Sequence, residues 1–176
     1  MPKTALALLL TLLFISSGAV GAAVAKTGFE IVGLVLYQPS EELEQRCTSH
    51  DLATYTKRVE ATAAAFFKGA THPEALDLVV AVRPSGKTKV WFIPSAAYGG
   101  KLAALRTQLE AIPAPKVTGG PVVFAGIGAI AGIDRSDQDG LPTPEEWMTA
   151  LKNRPVKDKG PIGLDKMLAL AWPNLP

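Results

Sequence analysis

The chain has 176 residues, and its 18 Lys and Arg nearly balance 16 Asp and Glu, for a formal net charge of +2. A charge this close to neutral argues against nucleic acid or an anionic membrane surface as the partner. The length fits one domain with a buried core, and a single cysteine excludes an internal disulfide.

The first 25 residues have the three-part layout of a secretory signal peptide. Lys3 gives a positive start, residues 5–15 are apolar except for Thr11, and Ala23-Val24-Ala25 is a small-x-small cleavage site. The apolar run is too short and wrongly flanked for a stable membrane span. We therefore predict residues 1–25 to be a signal peptide, with an uncleaved N-terminal anchor as the alternative.

The first elements of the mature chain are a strand and two helices. Residues 29–37 are rich in Ile, Val and aromatics, which is typical of a strand. A short acidic helix is predicted over residues 41–46. Thr48 and Asp51 have the spacing of a capping box, which predicts a longer amphipathic helix over about 49–69.

Cys47 and His50 are the residues that favour an enzyme. A cysteine with a nearby histidine base is a known nucleophile. The two residues also have the spacing of half a zinc site, but only His72 remains and there is no second cysteine to complete it. The alternative is that Cys47 is an ordinary buried thiol. We expect no cofactor.

Two alternating strands joined by Pro84-Ser85-Gly86 predict a β-hairpin at 76–93. Pro first and Gly last suit a three-residue loop that ends on a left-handed residue, and this loop places Arg83 opposite Lys87. One face of the hairpin is then core. The outer face carries Val79, Ala81, Lys87, Lys89 and Trp91.

Two nucleotide-binding patterns occur in contexts that argue against them. Ala81 followed by Gly86-Lys87-Thr88 matches a phosphate-binding loop, but a strand follows it where a helix is required. Gly126, Gly128 and Ala131 match a dinucleotide fingerprint, again with no helix after it. We predict a strand there instead, with both glycines making room for a bulky neighbour such as Trp91 or a helix. No nucleotide is expected.

The remaining elements are two helices, a strand between them and a final short helix. Residues 102–112 keep helical spacing until Pro113, and residues 121–130 form the last strand. Thr143 has capping-box spacing before a helix that ends near residue 151. A further short helix is predicted over 164–172.

An acidic loop precedes the helix at Thr143. Asp137, Asp139 and Glu146 occupy three ligand positions of an EF-hand-like calcium loop. Arg135 occupies the first position, where calcium needs a carboxylate. We therefore predict no metal site, with a weak calcium site at these three residues as the alternative.

Residues 52–130 resemble the C-terminal domain shared by TonB and TolA, energy-coupling proteins of the Gram-negative envelope. The resemblance lies in LVVAVRPSGKTKVWFI (78–93), KLAALRTQLEAIPAP (101–115) and GGPVVFA (119–125). The family usually carries an N-terminal membrane helix and a long spacer, whereas here we expect the apolar segment to be cleaved and the mature domain to follow it directly, so the family's energy-coupling role does not follow. What the resemblance implies is a small sheet whose edge or outer face binds another envelope protein, for instance by strand addition.

These patterns together predict an α+β protein with a small antiparallel sheet, amphipathic helices and a helical C-terminal tail. Residues 26–133 form a single domain, and residues 134–176 form an acidic loop and short helices packed on it. We expect a periplasmic or extracellular, non-catalytic binding or structural module whose partner is another envelope protein. Its partner would bind the outer hairpin face, unless the C-terminal helices cover Trp91. The rival hypothesis is a secreted enzyme that uses Cys47 and His50, with calcium at the acidic loop.

Overall fold

The structure is a computed structural model that describes residues 27–93, 99–137, 140–155 and 160–173. Its strands are β1 (Phe29–Leu36), β2 (Glu74–Ala75), β3 (Asp77–Val82), β4 (Thr88–Ile93) and β5 (Val122–Ile130). Its helices are α1 (Ser40–Arg46), α2 (Ser49–Phe66), α3 (Leu102–Glu110), α4 (Glu145–Lys152) and α5 (Leu164–Ala171).

The strands form one antiparallel sheet in the order β1-β5-β3-β4, with β2 also paired to β5. Helices cover both faces of this sheet, and the last two belong to the C-terminal segment. The predicted α+β fold with a helical C-terminal tail is therefore confirmed.

The β3–β4 hairpin has the register that its loop chemistry predicts. The backbone N–H of Arg83 donates to the carbonyl of Lys87 at 2.9 Å, and the N–H of Gly86 donates to the carbonyl of Arg83 at 2.9 Å. Gly86 has φ 78°, a left-handed conformation that glycine adopts without a Cβ clash. Val79 consequently lies opposite Trp91.

The first face of the sheet is covered by α2 and α3. The Thr48 side chain accepts a hydrogen bond from the backbone N–H of Asp51 at 3.1 Å, which confirms the predicted start of α2. Both helices turn an apolar stripe toward the sheet, where it joins the core from β3 and β5. The buried stripe residues are Leu52, Tyr55, Val59 and Ala63 on α2, and Leu102, Leu105 and Leu109 on α3.

The second face is covered by α4 and α5, which build a separate apolar core. Trp91 of β4 packs edge-on against Trp147 of α4, with ring centroids 5.5 Å apart, and against Trp172 just after α5, at 6.3 Å. Tyr37 packs edge-on against the other side of Trp147 at 5.6 Å. All three tryptophans of the chain thus lie in one cluster between the sheet and the C-terminal helices.

Polar contacts fasten the C-terminal segment over this cluster. The Tyr37 hydroxyl donates to the carbonyl of Pro142, and burial raises the Tyr37 pKa well above its usual range. The Arg83 guanidinium lies 3.8 Å from the ring centre of Trp172, close enough for a cation–π contact. Arg46 of α1 makes two hydrogen bonds of 2.8 Å to the carboxylate of Asp165 on α5.

The start of α4 differs from the capping-box prediction. Pro144 occupies the N-cap position with no side-chain cap, and the Thr143 hydroxyl donates to the carbonyl of Leu141 at 3.0 Å. The hydroxyl bonds a local carbonyl of the preceding turn, so it is not used as a helix cap.

Gly126 and Gly128 on β5 make room for side chains of the neighbouring strand β1. A Cβ at Gly126 would lie 2.8 Å from Cδ1 of Ile31, and a Cβ at Gly128 would overlap the Phe29 ring and the carbonyl of Leu76. The predicted bulky neighbours are therefore confirmed, but they are Ile31 and Phe29 of β1 and not the suggested Trp91, which lies on the opposite face of the sheet, or a helix.

We expect Gly128→Ala to lower the free energy of unfolding by about 1–3 kcal/mol, the usual cost of overpacking a core. The overlap with the Leu76 carbonyl is with backbone, which cannot rotate away. Urea denaturation followed by circular dichroism measures the change. Gly163→Ala is the matched control, since a Cβ there meets nothing within 4 Å. Equal stability of the two variants would contradict the close packing at Gly128.

Candidate binding surface at the free edge of strand β1

The outer hairpin face predicted to bind a partner is mostly buried. Val79, Ala81 and Trp91 lie in the core beneath α4 and α5, and Trp91 is only 1% exposed. Lys89 is half-buried and Lys87 is exposed. The structure therefore contradicts an exposed binding face at the three apolar residues and shows the stated alternative, in which C-terminal helices cover Trp91. An apolar face of this kind is normally removed from solvent, and here α4 and α5 of the same chain cover it.

Cys47 and His50 do not form a pair in this fold. The Cys47 thiol is buried and donates a weak hydrogen bond to the carbonyl of Thr48 at 3.5 Å, whereas His50 is exposed on α2. Burial, with a contribution from the charge of Asp51, raises the pKa of Cys47. A raised pKa reduces the thiolate fraction near neutral pH, and the thiolate is the nucleophilic form.

The proposed calcium ligands are not brought together among the described residues. Asp137 and Glu146 are both exposed, and Asp139 lies outside the described residues. Arg135 turns away from the loop and pairs with Asp77 at 2.9 Å. Within the described ranges, no three His, Cys, Asp or Glu residues are grouped closely enough to hold a metal ion.

Strand β1 lies at the edge of the sheet and has no partner strand on its outer side among the described residues. Among the described residues, β1 pairs with β5 alone. The N–H of Tyr37 donates to the carbonyl of Val123 on β5 at 3.3 Å. Because N–H and C=O groups alternate in direction along a strand, the backbone groups of Leu34 and Leu36 point away from β5. A further strand can therefore pair at these two residues.

The same strand exposes three aliphatic side chains at alternate positions. Val32 is 51% exposed, Leu34 47% and Leu36 38%. Natural edge strands are usually protected by lysine, proline, a bulge or a covering helix. The stretch Gly33–Leu36 carries no charge and no proline, so it has none of the protection that a side chain can give.

Protection is found elsewhere on both edges. At the start of β1, a bulge between Ile31 and Gly33 interrupts the register, and the N–H of Ile31 donates to the Glu60 carboxylate of α2 at 3.0 Å. On the opposite edge of the sheet, the N–H of Val90 donates to the Glu110 carboxylate of α3 at 2.9 Å. On β1, the described stretch that has none of these protecting contacts is Gly33–Leu36.

Gln38 fixes the end of this open edge against the sheet. Its side-chain amide donates to the carbonyl of Pro121 at 2.8 Å and accepts from the N–H of Val123 at 3.1 Å. The amide therefore continues the pairing with β5 after β1 ends, and it does so as a buried polar group with its partners satisfied. These two hydrogen bonds hold the segment between the end of β1 and the start of α1 against the sheet.

A surface hollow of about 920 Å³ lies between α3 and α4 at the β4 edge. Its rim includes Ile93 and Gly99, which border residues 94–98, outside the described residues. Arg106, Glu145 and Glu146 line it, and among the described residues no three His, Cys, Asp or Glu side chains are grouped there closely enough to hold a metal ion. We therefore place the candidate site at β1.

Sequence reasoning missed the exposed residues of β1. The run FEIVGLVL predicts a strand, but every member of the run is apolar or small except Glu30. A two-faced apolar pattern is typical of a central strand buried on both sides. Only the strand order shows that β1 lies at the edge, where half of each aliphatic side chain meets solvent.

No protein-family model matches this chain, and neither a curated protein nor a solved structure is similar to it. The resemblance to the TonB and TolA C-terminal domains therefore stays a prediction from three sequence segments. In the described part of the chain, every helix is too short or too polar to cross a membrane.

Proposed function

We propose that the protein is an exported, non-catalytic binding module of the cell envelope. On this proposal it takes up an extended segment of a partner protein on the open edge of β1. The observation that carries the proposal is the stretch Gly33–Leu36, an uncharged edge with outward backbone groups and half-exposed leucines. The signal-peptide pattern of residues 1–25 supports export.

Strand addition combines backbone hydrogen bonds with side-chain contacts, and this edge can provide both. The outward N–H and C=O groups of Leu34 and Leu36 offer four backbone hydrogen bonds, each worth about 0.5–1.5 kcal/mol net. The leucine side chains add apolar contact with alternate residues of the incoming segment. Together these contacts support a modest affinity, as expected for a reversible docking site.

We expect a photo-crosslinking residue at position 34 to form discrete adducts in intact cells, and one at Met148 to form few. Met148 is the matched control because it is 44% exposed, like Leu34, but lies on α4. N-terminal sequencing of the same protein is expected to start at Lys26. A chain that keeps residues 1–25 and stays in the cytosol would contradict export.

A second variant tests whether the backbone of β1 is used. Leu36→Pro removes an N–H that points away from β5, so it leaves the β1–β5 ladder intact while removing one bond to a partner. The adducts at position 34 are expected to fall severalfold in this variant, with unchanged thermal stability. Adducts that persist at full yield would contradict strand addition.

A further inference from the structure

The hollow between α3 and α4 has apolar walls and is large enough for a small molecule. Its volume is about 920 Å³, and ligand pockets usually measure about 300–1,000 Å³. The buried side chains of Phe92 and Leu102 line it, together with Met148 and Leu170, which are exposed although they are large and apolar. A ligand with an apolar body would remove part of these side chains from water.

Arg106 of α3 brings a positive charge into this hollow. Its guanidinium lies 5.5 Å from the ring centre of Phe92, within range of a cation–π contact. The Nε atom is buried and has no hydrogen-bond acceptor. Within the described residues, the two terminal nitrogens form neither a hydrogen bond nor an ion pair. They are therefore available to a carboxylate, whose two oxygens match the two N–H groups of a guanidinium.

Arg106 differs in this respect from the other half-buried arginines of the described chain. Each of the others donates a hydrogen bond to an oxygen of the protein, as the guanidinium of Arg46 does to the carboxylate of Asp165 at 2.8 Å. The others that do so are Arg83, Arg135 and Arg154. Polar groups that are largely removed from solvent are normally satisfied in this way. An acceptor supplied by a ligand would complete the same arrangement at Arg106.

Two carboxylates line the same hollow without pairing with Arg106. Glu145 and Glu146 lie in the first turn of α4, and both are exposed. Among the described residues, neither carboxylate lies within ion-pair distance of the guanidinium or of another cation. The hollow thus combines separated charges of both signs with apolar surface. A ligand that is complementary to all three features carries a carboxylate, a separate ammonium group and an apolar body.

We propose that this hollow binds a short apolar peptide with free termini. Arg106 holds the C-terminal carboxylate, and the N-terminal ammonium group lies near Glu145 and Glu146. The peptide side chains contact Phe92 and Met148. A dipeptide suits charges that are too far apart to pair directly, whereas a phosphate dianion would meet two carboxylates and a single guanidinium. This site is separate from the edge of β1 and does not depend on the proposed function.

Isothermal titration calorimetry of the purified protein with Leu-Leu, its C-terminal amide and its N-acetyl derivative tests the proposal. Leu-Leu is expected to bind saturably at one site. Blocking either terminus is expected to weaken binding about tenfold at low ionic strength, because each block removes one charge-assisted contact. Ser-Ser has both termini but no apolar side chains, and it is expected to bind at least about tenfold more weakly than Leu-Leu.

Variants assign each peptide terminus to its side chain. In Arg106→Met, Leu-Leu is expected to bind about tenfold more weakly, and amidation is expected to have no further effect. In the double variant Glu145→Gln with Glu146→Gln, acetylation is expected to lose its effect while amidation keeps it. Glu41→Gln with Glu44→Gln is the matched control, because both residues are exposed on α1 and do not line the hollow.

A further variant keeps the test valid if Arg106→Met unfolds. Arg106→Lys retains the charge but not the planar fork of two N–H groups, so its affinity for Leu-Leu is expected to fall between those of the natural protein and Arg106→Met. Thermal denaturation followed by circular dichroism shows whether each variant is folded. A folded Arg106→Lys protein that binds Leu-Leu and its amide as the natural protein does would contradict a paired contact with the carboxylate.

Three results would overturn the proposal. The first is an absence of saturable binding by Leu-Leu, and the second is tighter binding by free leucine. The third is that the amidation and acetylation penalties stay unchanged in the Arg106 and Glu145–Glu146 variants, since neither terminus would then contact the named side chains. None of these results bears on strand addition at β1. A dipeptide attached at Met148 is also too small to be confused with the protein adducts expected at position 34.

Discussion

Replacing Trp91 by alanine is expected to lower the free energy of unfolding by about 3–5 kcal/mol, the range for large aromatic residues truncated in a core. Trp91 is 1% exposed and lies between the rings of Trp147 and Trp172. Its removal would leave a cavity between the sheet and the C-terminal helices. Urea denaturation followed by far-ultraviolet circular dichroism measures the loss.

Lys87→Ala is the control for this experiment. Lys87 lies on the same hairpin but is exposed, so its truncation is expected to change stability by less than about 0.5 kcal/mol. A Trp91→Ala protein that keeps its stability would show that the C-terminal helices do not cover the sheet. The outer hairpin face would then return as the candidate binding surface.

Asp77→Ala is expected to cost about 3–5 kcal/mol, because it leaves a charge buried without its partner. The side chains of Asp77 and Arg135 are only 6% and 11% exposed, and their charged atoms lie 2.9 Å apart. The same carboxylate accepts a hydrogen bond from the N–H of Gly128 at 3.3 Å, which the substitution also removes. Denaturation of the single variant in urea measures the total loss.

The double variant Asp77→Ala with Arg135→Met shows whether the buried guanidinium left without its partner causes the loss of stability. Removing both charges relieves the uncompensated guanidinium, so the double variant is expected to be more stable than Asp77→Ala alone. A double variant that loses the sum of both single effects would show that the two side chains act independently, and would contradict a coupled buried pair.

Local chemistry was sufficient to predict most of the elements and the hairpin register. Pro84 and Gly86 fix the dihedral angles of the turn, and the turn fixes which residues of β3 and β4 lie opposite each other. Thr48 likewise determines where α2 begins, because its hydroxyl satisfies a helix N–H that has no other partner. These features depend on residues close together in the chain.

The candidate site was not predictable in the same way. Val79 and Trp91 belong to a face that alternation alone marks as outer, and its burial depends on α4 and α5, which lie far later in the chain. For Cys47 and His50, spacing suggested a pair, but the thiol is buried and the imidazole is exposed. The direction of a side chain at the start of a helix depends on which other elements pack against that part of the helix.

The sequence by itself determined the longer strands, the helices, the hairpin turn and the signal-peptide pattern, since each depends on local dihedral preferences and on the spacing of apolar residues. Tertiary structure alone decided which apolar strand surfaces are covered. The C-terminal helices bury the face of Trp91, while strand order leaves Leu34 and Leu36 at an edge. The physical reason is that apolar burial is non-directional. Any segment that removes an apolar side chain from water stabilises it, so the side chain alone does not show which segment covers it.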